Sequence, residues 1–437
     1  MDVANSFVPV IQVLATVMSS PTADTFQTLV GGWLLAPHRT IQGMVRASGV
    51  DRHHSAFHRF FSDASWSIDR AGLAVFDLVT TSMQSVFLTV DDTLLSRSGL
   101  KVFGTGMHRD AVLSSRSHTV TRWGHCWIVV GVVFESRLVP GRTFSLPVMC
   151  RLYLNKKSAD KWRRKYQTKN QLMLQMLRKL DAHAGKHGKT LHLLGDSAFT
   201  APAVLNELPA GLHVTGRVGR DVRIHAPVVP KAKGSPGRPR RRGERMATPE
   251  QMLEQKRLPR LSIQLYHGAN YVMRVATARG CFYKAPERQV LVIAVEHLKG
   301  GRGTEVFYTT DINADVETVL TRFSWRWSIE VTFHDCKGHL GIDEPQNRTT
   351  KAVRRTAALG FLLYSLIVWW HETTHDKPVE WIRDWAGKTA PSFTDMLAAL
   401  RMETLQTTEQ NISEHPPLPP PVTKFLNHLK KLLALAA

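Results

Sequence analysis

The sequence predicts an α/β protein built on a central mixed sheet, with helices before it and a mostly β insertion within it. Three observations carry this. Apolar, β-branched runs recur at 85–92 ("SVFLTVDD"), 125–134 ("HCWIVVGVVF") and 191–199 ("LHLLGDSAF"), and the first and last of them close on acids. Helical periodicity lies between them, and strands alternating with helices argue for an α/β core. A long stretch, 200–322, then reads as short strands with no helix between them.

Taken in order, residues 1–75 are helical. Thr22 to Leu35, Arg39 to Ala47 and Ser55 to Phe61 are short amphipathic runs, and "RASGV" makes a tight break between the last two. Helix, glycine-containing turn, helix suits a helix-turn-helix, with Arg39, Arg46, Arg52 and Arg59 placed for phosphate contacts; an ordinary helical bundle reads equally well. Ser158 to Ala182 is expected to be one strongly basic helix. Within 200–322, "HVTGRVGRDVRIHAP", "LSIQLYHGANYVMRVATARG", "RQVLVIAVE" and "TEVFYTT" read as strands. The run "PKAKGSPGRPRRRGER" (230–245) is broken by proline and glycine and is a cationic loop, carrying Arg238, Arg240, Arg241 and Arg242. Helix resumes at Val316 and is expected to run past Lys337, then again from Thr349 to Thr373. After "PPLPPP" (416–421) a last amphipathic helix spans Val422 to Ala436.

Composition narrows the partners. In 437 residues, 57 Lys and Arg face 36 Asp and Glu, a formal +21 that attracts a polyanion, nucleic acid first. A content of 43% hydrophobic residues is enough for sizeable cores and excludes wholesale disorder. The four cysteines, Cys126, Cys150, Cys281 and Cys336, form no CxxC pair and fit reduced thiols rather than a disulfide frame or zinc knuckle. His118 and His125 with Cys126 lack metal-ligand spacing. The apolar start, Phe7 to Met18, has no basic n-region, and the longest apolar run, Ala357 to Trp370, is too short to span a bilayer. A cytoplasmic protein without a membrane partner is expected.

The chemistry concentrates in three acids. Asp91 or Asp92 and then Asp196 close predicted strands; Glu330 sits in "FSWRWSIEVTFHDCKGHLG". On one continuous helix, at about 100° per residue, Phe323, Arg326 and Lys337 fall within about 40° of Glu330. A glutamate flanked by two bases and an aromatic on one edge is not a core stripe. Carboxylates converging from strands and a helix suit two hard divalent ions about 4 Å apart at a phosphodiester, with the bases holding the phosphate backbone. Neighbours on a strand face opposite ways, so only one of Asp91 and Asp92 enters such a site; Asp91, with Thr93 two residues on, is favoured. Capping by Asp196 and an i−4 pair of Glu330 with Arg326 are the structural alternatives. His334 is read as a packing or phosphate-contacting residue and Asp335 as solvent-facing.

At these residues the sequence resembles the DDE transposases of bacterial insertion sequences. "FSWRWSIEVTFHDCK" is similar to their Tyr-x2-Arg-x3-Glu-x6-Lys signature, with Phe323, Arg326, Glu330 and Lys337 in its places; "VDDTLLS" resembles their Asp-x-Thr and "LGDSAF" their second strand-ending Asp. The resemblance covers roughly 20–375 and implies an RNase H-like core split by a β-rich insertion, for which the separation of Asp196 and Glu330, 134 positions apart, leaves room. It implies these parts: a helical DNA-binding region at 1–75, the core in two pieces at 76–199 and 323–375, the insertion at 200–322 and a helical tail at 376–437. It also implies Asp91, Asp196 and Glu330 as catalytic metal ligands for Mg²⁺ (or Mn²⁺). Double-stranded DNA, as terminal inverted repeats and target, would be the substrate, with a homodimer pairing two ends and cut-and-paste strand transfer as the activity. Phe323 departs from the signature by lacking the tyrosine hydroxyl. No Trp occurs between 163 and 324, so a base-stacking role in the insertion would fall to Phe282, Tyr283, Tyr266 or Tyr271. A standalone metal-dependent nuclease and a silent DNA-binding regulator derived from a transposase are the alternatives.

Overall fold

The computed structural model describes residues 3–110, 113–115, 117–228, 240–265, 268–298, 303–380 and 384–412, together with Asn427 and Lys430. The expected final helix, Val422 to Ala436, and Lys231, Lys233 and Arg238 of the basic loop lie outside nearly all of these. In chain order the described elements begin with α1 (Val8–Ala15), α2 (Ser20–Leu35), α3 (Ile41–Ser48), α4 (Ser55–Ser62) and α5 (Ile68–Val79). Next come β1 (Ser85–Ser96), β2 (Gly106–Arg109), β3 (Thr121–Glu135), β4 (Thr143–Tyr153), α6 (Lys156–Lys161), α7 (Lys169–Gly185) and β5 (Thr190–Gly195). They are followed by β6 (His213–Arg217), β7 (Ile224–His225), α8 (Pro249–Leu253), β8 (Arg260–Leu265), β9 (Ala269–Phe282), β10 (Ala285–His297) and β11 (Thr304–Thr309). Helices α9 (Val316–Trp325), α10 (Ser328–Gly338), α11 (Thr350–Thr374) and α12 (Phe393–Ile412) complete the series.

The chain divides into two compact units. The first comprises Met1–Thr81, Asp92–Gln167 and Val331–Ala437; the second comprises Ser82–Asp91 and Thr168–Glu330. In the first unit β3 and β4 form a long antiparallel pair, and the short β2 pairs with the start of β3. α11 lies against β4 and carries an almost wholly buried face, so its apolar length is that of a core helix: 89% of its most apolar window is covered by protein. Helices α1–α5 gather around it. The guanidinium of Arg355 on α11 donates to the carbonyls of Phe60, Phe61 and Trp66, joining α11 to the end of α4.

The three early helices stand where the periodicity predicts. Thr40 caps α3 by accepting from the Gly43 amide, and Gly49 ends it at φ 65, a left-handed position that glycine adopts without strain. Of the four arginines expected at phosphates, Arg46, Arg52 and Arg59 are exposed. Arg39 is not: it is buried against Glu344 and donates to the carbonyls of Pro37 and His339, because its position faces the helix packing rather than solvent.

The second unit is built on a mixed sheet in the order β1-β5-β6-β11-β10-β9-β7, with β8 also on β9. β1, β5 and β6 run parallel and the remaining pairs are antiparallel. Successive residues on a strand alternate faces, and partners across a ladder share one. One face therefore carries Phe87, Thr89 and Asp91 of β1, His192 and Leu194 of β5, His213 and Thr215 of β6, and Phe307 and Thr309 of β11. α9 packs on this face. Phe323 meets Phe307 at 4.9 Å between ring centroids, and Trp325 meets Phe87 at 5.2 Å. Ile263, Val275, Ile293, Val319 and Leu320 continue the same core.

Three expected elements are corrected. The basic helix expected over 158–182 is two helices, α6 and α7, separated by a loop in which Arg163 takes φ 50. The helix expected from Val316 past Lys337 breaks at Arg326 and Trp327, giving α9 and α10. β1 does not stop at its acids but continues to Ser96.

Candidate active site

The second unit assembles three of the residues singled out from sequence around one guanidinium. Arg326 lies in the break between α9 and α10, so its side chain leaves the helix axis at the sheet's edge. Its Nη1 stands 3.4 Å from Asp91 Oδ2 and its Nη2 2.9 Å from Glu330 Oε1. Arg326 is 14% exposed, against 21% for Asp91 and 36% for Glu330, so the acids are open toward solvent while the arginine behind them is covered. The ring of Phe323 lies 5.8 Å from the guanidinium and is itself buried. Phe323 is thus a core residue supporting Arg326, not a surface residue of the kind expected for a DNA contact. The hydroxyl missing relative to the signature Tyr would point into apolar packing. Arg326 Nε is buried without a hydrogen-bond partner among the described residues.

Asp196 reaches the same sheet edge by register. β1 and β5 pair in parallel with Val90 opposite Gly195, which places Asp91 and Asp196 side by side as the chain leaves that ladder. Adjacent strands lie about 4.8 Å apart, so the two residues leave neighbouring backbones at the same level of the sheet. Asp196 is not the cap of a helix: it opens a turn, and its Oδ1 accepts from the amides of Ala198 and Phe199 at 3.0 and 3.3 Å. Those bonds orient the side chain through one of its two oxygens. The turn is pinned from below by Tyr308, whose hydroxyl donates to the Thr200 carbonyl at 2.6 Å, and burial raises the Tyr308 phenol well above its usual range. A Cβ on Gly195 would lie 2.7 Å from Thr200 Cγ2 and 3.3 Å from Val90 Cγ1, which is why glycine precedes the acid.

The two neighbouring aspartates part company. Asp91 shares the face of Phe87 and reaches Arg326, while Asp92 Oδ2 accepts from the Cys126 thiol at 3.4 Å in the other unit. Below Asp91, an aromatic stack of His213, His192, Phe87 and Trp325 lines the face, with the Arg322 guanidinium over Phe87 and paired to Asp311. Burial lowers the His192 pKa to about 4, with His213 and Arg322 adding to the shift, so this ring is neutral in the folded chain. None of the stack is evident from sequence, because its members lie on three strands and a helix.

Lys337 belongs to the first unit, in the last turn of α10. Burial lowers its pKa, while Asp343 and Asp110 pull the other way. Asp335, expected in solvent, is instead largely buried (13% exposed), and burial raises its carboxyl to about 6. In the basic segment Arg240 and Arg241 are exposed, whereas Arg242 stacks on Tyr283 at 3.7 Å and donates to its carbonyl. Of the aromatics considered for base stacking, Tyr283 is 41% exposed, Phe282 is buried against Tyr308, Tyr271 packs beside His297, and Tyr266 lies outside the described residues.

The fold is a mixed α/β one in which Asp91 lies on β1, Asp196 follows the parallel β5, and Glu330 is joined to Asp91 through Arg326. A family model described as DDE superfamily endonuclease matches residues 15–270, and the chain belongs to that family. The match contains Asp91 and Asp196 and ends before Glu330. Enzymes of this superfamily act on DNA with divalent metal ions. A search of curated proteins gave no match.

Proposed function

We propose that the chain is a DNA transposase, which cuts the ends of an insertion sequence and joins them to target DNA at an RNase H-like site formed by Asp91, Asp196 and Glu330. The observation that carries the reading is the register of β1 with β5, which sets two aspartates side by side while Arg326 holds Glu330 to the first of them. The donor set is carboxylate oxygen only, which suits Mg²⁺ or Mn²⁺. Two carboxylates share the Arg326 guanidinium and Asp196 follows the strand beside Asp91, so negative charge is in excess and the residues fit a divalent cation. When bound, such ions activate the attacking oxygen and neutralise charge on the leaving one.

The protein's own groups supply the remainder. Asp196 is oriented by two backbone amides, and Asp91 by its place on a central strand, so neither carboxylate has to be ordered at the moment of reaction. Arg326, with the rigid fork of a guanidinium, keeps Asp91 and Glu330 converged against their mutual repulsion. Exposed Arg46, Arg52, Arg59, Arg240 and Arg241 are assigned to the DNA backbone, and Lys337 to a phosphate nearer the chemistry. The homodimer that would pair two ends remains part of this proposal.

Transposition and plain cleavage differ in their products. The protein is incubated with Mg²⁺, a duplex bearing the inverted repeats that flank its own gene, and a supercoiled target plasmid. End fragments covalently joined to the plasmid are expected. Cleaved ends without joined product would assign the chain to the standalone nucleases, and uncut DNA that is still bound would assign it to the silent regulators.

A further inference from the structure

A second group of metal-ligating side chains stands in the first unit, apart from the three acids. We propose that His334, Asp335 and His339 form a site for a borderline divalent ion such as Zn²⁺. His334 Nδ1 and His339 Nε2 converge on the same oxygen, Asp335 Oδ1, at 3.4 and 3.9 Å, and the two imidazole rings lie 6.0 Å apart in an edge-on arrangement. One candidate donor atom from each residue lies within 4.8 Å of the others. Donors held about 2.0–2.1 Å from a tetrahedral zinc are about 3.3–3.4 Å from one another; of the three pairs here His334–Asp335 has that spacing, and small side-chain rotations bring the other two, His339–Asp335 at 3.9 Å and His334–His339 within 4.8 Å, to it.

The surroundings are those of a built site. Asp335 is largely buried and His339 is 28% exposed, while His334, at 78%, leaves an open side through which an ion enters. The Thr394 hydroxyl lies 3.2 Å from His339 Nε2, near enough to complete the shell directly or through water, and the Phe393 ring lies beside the His339 ring. The His339 carbonyl accepts from Arg39, which fixes the backbone of the turn that follows α10. Two imidazoles and one carboxylate select zinc-like ions over Mg²⁺, whose preferred donors are all oxygen. Bound there, the ion would clamp the end of α10 to the first turn of α12 through Thr394, making its role structural. The placement owes nothing to the DNA chemistry and stands or falls separately from it.

The test uses the full chain, stripped of metal by a chelator, with Zn²⁺ affinity measured by competition with a chromophoric indicator. His334→Ala is the primary variant because its side chain is exposed and its loss leaves packing intact; His339→Gln is the second, and Glu330→Gln reports on the carboxylate site. Affinity is expected to fall by more than about tenfold in both histidine variants and to hold in Glu330→Gln. Zn²⁺ is also expected to raise the unfolding temperature of the wild type more than that of His334→Ala, whereas any rise with Mg²⁺, through the three acids, should be equal in the two. Equal Zn²⁺ affinity in wild type and His334→Ala would overturn the assignment, as would loss of the tight Zn²⁺ in Glu330→Gln alone.

Discussion

Single residues decide which groups can meet. Asp91 and Asp92 are indistinguishable by composition, and the strand's alternation sends one to Arg326 and the other to Cys126. Gly195 is a second decision of this kind. Gly195→Ala forces a methyl against Thr200 and Val90 and should destabilise the protein by about 1–3 kcal/mol, measured by denaturant unfolding; an unchanged midpoint would show that the turn before Asp196 yields freely. His192 makes a prediction in pH. Its folded pKa, about 4, lies below the ordinary 6.5, so the unfolded chain takes up a proton first as acid is added. Stability should be unaffected by this group above pH 6.5 and decline as pH falls from there toward 4. His192→Gln should flatten that decline in thermal melts, and an equally steep acid limb in the variant would place the cause elsewhere.

At the scale of elements, what the sequence makes legible is apolar period. β1, β3, β5 and the strands of the insertion are readable because β-branched runs have no competing pattern, and α11 because its apolar run is long. The break between α9 and α10 is not readable: "FSWRWS" contains neither glycine nor proline, and only the packing of Phe323 on Phe307 and of Trp325 on Phe87 shows that α9 ends there. β4 escapes notice because Pro147 sits in it, tolerated where the ladder with β3 shifts register at Gly131. The α9–α10 break is what turns Arg326 toward two acids, so the fork geometry should matter beyond charge. Arg326→Lys should fold and bind DNA yet cut ~10–100-fold more slowly; a rate within about twofold of wild type would remove Arg326 from the site. For the basic segment, Arg240→Ala with Arg241→Ala should lower the slope of log affinity against log salt by about 2 if both meet phosphates. An unchanged slope would leave them as solvated side chains.

Over the whole molecule, the charge of +21 and the carboxylate site answer different questions. The charge draws in a nucleic acid without choosing its sequence, and the chemistry is proposed for a few residues of the second unit. The three acids were legible in the sequence as residue types at strand ends and beside an arginine. The pairing of Asp91 and Glu330 through Arg326, and the register that sets Asp196 on the strand next to Asp91, were not, because they depend on a parallel ladder and a helix break that no local pattern encodes. In the proposed function Asp91, Asp196 and Glu330 act as one metal-dependent site. Mg²⁺-dependent cleavage of a duplex carrying the element's ends, compared across wild type, Asp91→Asn, Asp92→Asn, Asp196→Asn and Glu330→Gln, tests it most directly. Cutting should vanish in the Asp91, Asp196 and Glu330 variants while end binding persists, and should survive in Asp92→Asn and stop in EDTA. Wild-type cutting by Asp91→Asn beside an inert Asp92→Asn, or full activity in EDTA, would contradict it.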